Sequence, residues 1–203
     1  MVAQSNLIAR IIAIVKRKVS QKHRFNYQYA NNKWDALWTV PELARYSIIA
    51  GYTRHYFTSP RILDLGCGEG ILQQKFSSED YSWFLGIDFS QTAIDNAKHL
   101  LNFKTRFEVG DINRLKLEDR FDVIIFNESL YYLDDPMGVV TRLCQNLTPD
   151  GIFIVSMHKV GNERDWLWDS MEHMFEIKDK TNVSNRENTT WTIAVYKLKN
   201  SDL

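Results

Sequence analysis

From residue 61 onward the chain alternates short apolar runs with segments whose apolar positions recur every three or four residues. "RILDL" (61–65), "WFLGID" (83–88), "TRFEVGD" (105–111), "FDVIIFN" (121–127) and "GIFIVSM" (151–157) read as five strands. Strands that are apolar throughout and separated by helices belong to a parallel sheet covered on both faces. Between them, Glu69–Ser78 reads as a helix following three glycines. Ser90 caps a helix whose Ala93, Ile94, Ala97, Leu100 and Leu101 share a face. Pro136 suits the first turn of another, with Val139, Val140, Leu143 and Leu147 inward. The end of the chain changes character: "FEIKD" and "WTIAVYKL" alternate, with Trp191, Ile193 and Val195 on one side. Two half-exposed strands therefore finish the sheet as an antiparallel hairpin. Residues 25–57, rich in Tyr and Trp, precede the sheet and would pack over its edge or mouth. The pattern predicts one doubly wound α/β domain over 1–203, with a helical cap over 1–57 and a sheet core over 58–203.

Composition adds limits rather than chemistry. With 203 residues, 44% hydrophobic and 25% charged, the chain has the make-up of an ordinary soluble protein with a sizeable core. Its 25 basic residues balance its 25 acidic ones, so no electrostatic reason exists to expect nucleic acid as a partner. Two cysteines, Cys67 and Cys144, are too few for a disulfide framework. Without a secretion signal, the expected compartment is a reducing cytoplasm. Charge is uneven at the start: Arg10, Lys16, Arg17, Lys18, Lys22, Arg24 and Lys33 all precede the first acid, Asp35. Leu7, Ile8, Ile11, Ile12, Val15 and Val19 fall on one helical face there. That stretch is too short and too interrupted to span a bilayer, so no integral membrane segment is expected. The expectation is a terminal helix docked on the domain or on a second copy as a homodimer contact. Contact with an anionic membrane surface is the alternative.

The candidate chemistry starts at "RILDLGCGEGIL" (61–72). The dinucleotide fingerprint needs a small third residue two positions after its second glycine plus one, for close helix–strand packing. Ile71 stands there, the third glycine falls at Gly70, and a phosphate loop of the G-x-x-x-x-G-K-[ST] type is absent. With "GIDFS" at the second strand end, "EVGDI" at the third and "FDVIIFNESLYYLDDP" at the fourth, the chain resembles the class I S-adenosylmethionine-dependent methyltransferases. The four stretches stand in that family's order and spacing over residues 61–158. More narrowly, "FNESLYYL", the strand ending at His158 and the tail "TTWTIAVYKL" resemble the small nodulation protein S type, which methylates an amine.

The resemblance implies a seven-stranded sheet of order 3-2-1-4-5-7-6, with S-adenosyl-L-methionine as cofactor, S-adenosyl-L-homocysteine as product and a small-molecule acceptor. It implies a cofactor set of Asp64, Gly66, Cys67, Gly68, Gly70, Asp88, Phe89, Asp111, Ile112, Asn127 and, from the cap, Arg45. Asp88 would meet the ribose diol, Asp111 the adenine amino group, and Asp64 the turn or the ammonium. The amino-acid carboxylate would lie at backbone amides and the start of the helix after the glycines. Trp34, Trp38, Arg45 and Tyr46 are lid candidates. Glu128, Tyr131, Tyr132 and Trp166, with Trp168 beside it, are placed around the acceptor, and His158 and Glu128 are the candidate acid–base pair. The alternative role for Glu128 is to fix its own loop by hydrogen bonds. The N/D-P-P-Y/F/W signature is absent, because Asn127-Glu128-Ser129-Leu130 stands in its place. No metal site is expected. A domain that binds the cofactor without turnover, as a sensor or scaffold, is the alternative; a nicotinamide oxidoreductase is a weaker one.

Overall fold

The computed structural model describes residues 19 and 21–199. The basic amphipathic segment on which the docking and membrane expectations rest lies almost wholly outside them. Seven strands form one sheet of order β3-β2-β1-β4-β5-β7-β6. They are β1 (Arg61–Leu65), β2 (Trp83–Asp88), β3 (Thr105–Val109), β4 (Phe121–Asn127), β5 (Leu147–His158), β6 (Phe175–Ser184) and β7 (Thr190–Leu198). β1 to β5 pair in parallel, and β7 is antiparallel to both β5 and β6. The helices are α1 (21–30), α2 (Val40–Tyr56), α3 (Gln91–Ala97), α4 (Pro136–Leu143) and α5 (Asp165–Met174).

Two apolar layers sandwich the sheet. On one face Tyr46, Ile49 and Ala50 of α2 and Ile94 and Ala97 of α3 pack on Ile62, Phe84, Val123, Ile125, Ile154 and Ile193. On the other, Val139, Val140 and Leu143 of α4 and Leu167, Trp168 and Met171 of α5 pack on Leu63, Leu65, Ile124, Phe126 and Phe153. Alternate residues of each strand serve the two layers, so burial on both sides makes these strands continuously apolar.

Four expectations are corrected. Glu69–Ser78 forms turns and a short 3-10 segment, Gln73–Lys75, instead of an α-helix. Gly70 has φ +79°, and this left-handed residue stops helical backbone from starting at Glu69. α3 does start at Ser90, whose hydroxyl accepts from the Ala93 amide at 3.2 Å. It then tightens to 3-10 geometry at Lys98, which rotates Leu101 outward to 49% exposure. β7 is buried on both faces because it lies inside the sheet, and of the two hairpin strands only β6 is an exposed edge. Finally, α2 covers one face of the sheet, while α1 and the 3-10 turn Asp35–Trp38 reach the mouth.

Candidate active site

The carboxyl ends of parallel strands converge where neighbouring connections diverge, and ligands of open α/β sheets bind there. Here the ends of β1, β2, β4 and β5 and the loop after β3 enclose a cavity of about 390 Å³, roofed by α1, Trp34, Leu37 and the start of α2. Asp64, Gly66, Cys67, Gly68, Asp88, Phe89, Asp111, Ile112, Asn127, Arg45, Glu128, Tyr131, Tyr132 and His158 all line it. The structure thus brings together nearly every residue expected there.

The glycine loop is shaped for close approach. Gly66 and Cys67 amides both bond the Ile87 carbonyl, at 2.8 and 3.1 Å, which ties the loop to the end of β2. A Cβ on Gly68 (φ +54°) would stand 2.8 Å from the Tyr29 hydroxyl. Gly70 does not line the cavity: a Cβ there would strike Leu100 and Phe107, so this glycine serves packing. With no α-helix behind the loop, the expected positive helix end is missing too. The cation nearest that role is the Arg45 guanidinium.

Asp88 accepts from the Gly68 amide at 2.9 Å and the Ser90 amide at 2.8 Å, one on each carboxylate oxygen. Burial raises its pKa, and those backbone donors oppose the rise. Asp64 lacks such support. It is 1% exposed and its Oδ1 has no hydrogen-bond partner. Burial, then the charge of Asp88, push its pKa up to about 7, against a lowering by Arg45. Asp111 accepts from the Asn113 amide at 3.0 Å and so caps the turn that begins at Ile112.

Arg45 is 2% exposed, and three of its five donors are engaged. Its guanidinium donates to Glu42 at 2.8 Å, to Asn127 Oδ1 at 2.6 Å and to the Tyr46 hydroxyl at 2.9 Å. A cap helix is thereby bonded to the end of β4. Tyr46 lines the cavity beside it, and its hydroxyl is pushed up to about 12, mainly by burial.

Glu128 has φ +59°, a conformation a non-glycine residue holds only when its surroundings fix it. Its Oε2 accepts from the Tyr131 hydroxyl at 2.9 Å and the His158 amide at 3.0 Å, and Oε1 from Ser156 Oγ at 3.4 Å. Burial raises its pKa, with Arg45 the largest opposing influence. Glu128 therefore fixes its loop and also faces the cavity. Trp166 is corrected: it is 52% exposed and lines a separate shallow depression outside Tyr131. Trp168 is buried in the core of α5. Both follow from the helical face on which they fall.

Sequence reasoning missed Phe25, Tyr29, Glu69 and Trp191 on the wall. Phe25 and Tyr29 stand four apart, one face of a helix turned to the cavity, and that spacing was the available signal. Phe25 stacks on Trp34 at 6.2 Å and meets Tyr132 edge-on at 5.7 Å. Trp38, expected in the lid, instead latches it: its indole N–H donates to Glu69 at 3.0 Å. Among the described residues no group of three or more His, Cys, Asp or Glu is arranged to hold a metal ion, and no helix is long and apolar enough to cross a membrane.

Residues 58–200 match the family described as methyltransferase domain. The chain is 34% identical to a malonyl-[acyl-carrier protein] O-methyltransferase of Bacillus anthracis over 147 residues, 70% of this chain and 54% of that protein. It spans little more than half the length of that relative. Among solved structures it is similar to the N-methyltransferase NodS of Bradyrhizobium japonicum WM9 in complex with S-adenosyl-L-homocysteine, with TM-score 0.75 at 16% identity, covering 88% of this chain and 98% of that one. It is also similar to the 1,6-didemethyltoxoflavin-N1-methyltransferase of Burkholderia thailandensis, with TM-score 0.73 at 18% identity, covering 90% and 89%.

Proposed function

The chain belongs to the methyltransferase domain family, and from that premise we propose that it moves a methyl group from S-adenosyl-L-methionine to an N or O nucleophile of a small molecule. The carrying observation is Asp64. A buried carboxylate with an unpartnered oxygen at the cavity wall, beside a glycine loop whose Gly68 lies under the Tyr29 hydroxyl, suits the cofactor's ammonium. The rest of the wall fits the same ligand. Asp88, already oriented by two amides, has lone pairs left for a ribose diol, and Asp111 with Ile112 stands one strand further out for an adenine. Arg45 is the guanidinium available to the amino-acid carboxylate.

When bound, the cofactor supplies a methyl carbon already activated by a sulfonium. What remains for the chain is positioning, exclusion of water and proton traffic. Asn127, held by Arg45, and Glu128, held by three donors, fix the end of β4 where the reacting centre would lie. Holding reacting atoms near attack distance is worth several kcal/mol in rate, typically ~7–11 for well-oriented reactions. The aromatic roof of Phe25, Tyr29 and Trp34 shields the cavity from solvent. His158, on the neighbouring strand end, is placed to receive a proton from the acceptor.

The test is a melting scan followed by a turnover assay. S-adenosyl-L-homocysteine at ~100 times its dissociation constant should stabilise the fold by ~2.7 kcal/mol, with NADH producing no shift. Release of S-adenosyl-L-homocysteine with a panel of amine and hydroxyl acceptors should follow. A shift with NADH alone would overturn the reading; binding without turnover across the panel would favour a sensor or scaffold.

A further inference from the structure

We propose that the acceptor is an amine that enters as its ammonium, carried on a flat apolar body, and that Glu128 selects it against carboxylate acceptors. This rests on the methyltransferase reading above. Its basis is the charge of the cavity. Among the described residues the wall carries six carboxylates, Glu42, Asp64, Glu69, Asp88, Asp111 and Glu128, and a single Lys or Arg side chain, Arg45.

Most of these charges have work apart from the acceptor. Glu42 is bonded to Arg45, and Glu69 accepts from Trp38 and Asn96. Asp64 answers the cofactor's ammonium, and Asp88 and Asp111 meet its neutral ribose and adenine. Glu128 remains. Its three donors, a phenol, an amide and a hydroxyl, are all neutral, and among the described residues no cation is in ion-pair contact with it. Arg45, the cation that most lowers its pKa, already spends three of its donors on Glu42, Asn127 and Tyr46. Arg164, which lowers it less, lies over the Tyr131 ring at 3.5 Å and donates to the His158 carbonyl at 2.7 Å, and neither arginine forms an ion pair with Glu128.

A buried carboxylate without a cation is costly, and its complement is a cationic ligand. An acceptor carboxylate brought to the same place would meet the like charge of Glu128. The remaining wall at this end is Tyr131, Leu37 and Trp191, which suits a flat apolar body.

The ammonium must lose a proton before it can attack. The imidazole of His158, lying 6.1 Å from the Trp191 ring, carries no side-chain hydrogen bond among the described residues and faces the same cavity. The proton passes from the ammonium to that ring. The freed nitrogen lone pair then forms the N–C bond to the methyl carbon as the C–S bond breaks, and the C–S electron pair stays on sulfur. The product leaves as an N-methyl ammonium, and the protonated imidazole of His158 returns its proton to water.

The experiment uses the full chain saturated with S-adenosyl-L-homocysteine and three probes on one skeleton: 2-naphthylmethylamine, 2-naphthol and 2-naphthoate. Calorimetry reads their binding, and turnover with S-adenosyl-L-methionine reads their methylation. The amine should bind at least tenfold tighter than the naphthoate and be methylated in preference to both others. Glu128→Gln should cut amine affinity about tenfold and leave homocysteine-product binding within twofold, while His158→Ala should shift the pH profile of amine methylation upward. The wild-type ratio of amine to naphthoate decides the matter even if a variant folds poorly. A naphthoate or naphthol that binds as well as the amine, or a complex that binds none of the three, overturns the proposal and leaves the cofactor reading standing. Failure to bind S-adenosyl-L-homocysteine at all overturns both.

Discussion

At the scale of single residues, Asp64 carries the clearest consequence. Its folded pKa of about 7 lies above the ordinary 3.8, so the native state holds this proton more tightly than the unfolded chain does. The contribution to stability is best below about pH 4, declines as pH rises towards 7 and levels off beyond. At ~1.4 kcal/mol per pKa unit, the loss is at most ~4 kcal/mol. Asp64→Asn should therefore raise the melting temperature of the ligand-free protein at pH 8 and leave it unchanged near pH 4. On the proposed reading the same substitution removes the partner of the cofactor's ammonium, so affinity for S-adenosyl-L-homocysteine should fall at least tenfold. In the wild type that affinity should weaken as pH drops below about 7, because Asp64 must ionise to bind. Calorimetry at several pH values checks both, and an affinity flat from pH 5 to 8 would show that Asp64 does not meet a cation. Asp64, Asp88 and Asp111 could be placed at the cavity from the sequence because each stands at or just past the end of a strand, and a strand end in this topology can face only one crevice. Gly70 and Trp166 were misplaced because a motif gives a residue's position along the chain and not the direction of its Cβ. Gly70 turns towards Leu100 and Phe107, and Trp166 towards solvent.

At the scale of elements, the strands were readable and several connections were not. Burial on both faces writes a strand as an unbroken apolar run, which is why β1, β2 and β4 stand where the pattern puts them, whereas β5 starts earlier, at Leu147, which the pattern gives to the preceding helix. The segment after the glycines follows no such rule. Its conformation is set by left-handed Gly70 and by Glu69, which bonds Trp38 of the cap on one side and Asn96 of α3 on the other. Contacts so distant in sequence leave no local periodicity to read. The loop's dependence on the cap can be measured. Gly68→Ala puts a Cβ 2.8 Å from the Tyr29 hydroxyl at a residue with φ +54°, so it should cost ~1–3 kcal/mol and push α1 off the loop. Thermal unfolding should show the loss. The double variant with Tyr29→Phe should recover part of it, since the clashing oxygen is gone. No recovery would mean that backbone strain alone accounts for the cost.

At the scale of the whole molecule, the cap and the sheet meet around the cavity from opposite sides. On the β2 side Asn26 Oδ1 accepts from Ser90 Oγ at 2.6 Å, and on the β4 side Phe25 meets the Tyr132 ring edge-on at 5.7 Å. α2 adds the Arg45–Asn127 bond at 2.6 Å. α1 therefore spans the β2 and β4 sides of the cavity, and any ligand lying between must either enter past it or wait for it to move. α2 is anchored in the core through Tyr46, Ile49 and Ala50, whereas of the residues in α1 only Tyr29 is buried. The segment with the fewest buried contacts opens at the lowest cost, which makes α1 the moving part of the cap. Hydrogen exchange should show it: amides over 21–30 should exchange fast in the free protein and slow at least tenfold with S-adenosyl-L-homocysteine bound. Those of β1, β4 and β5 are inside the sheet and should be slow in both states. Asn26→Ala removes one of the two fastenings, so it should speed exchange in α1 in the free protein and raise both the association and the dissociation rate of the ligand. Protection that rises equally in α1 and α2 would place the hinge before residue 21 or beyond Tyr56, and the cap would then move as one piece.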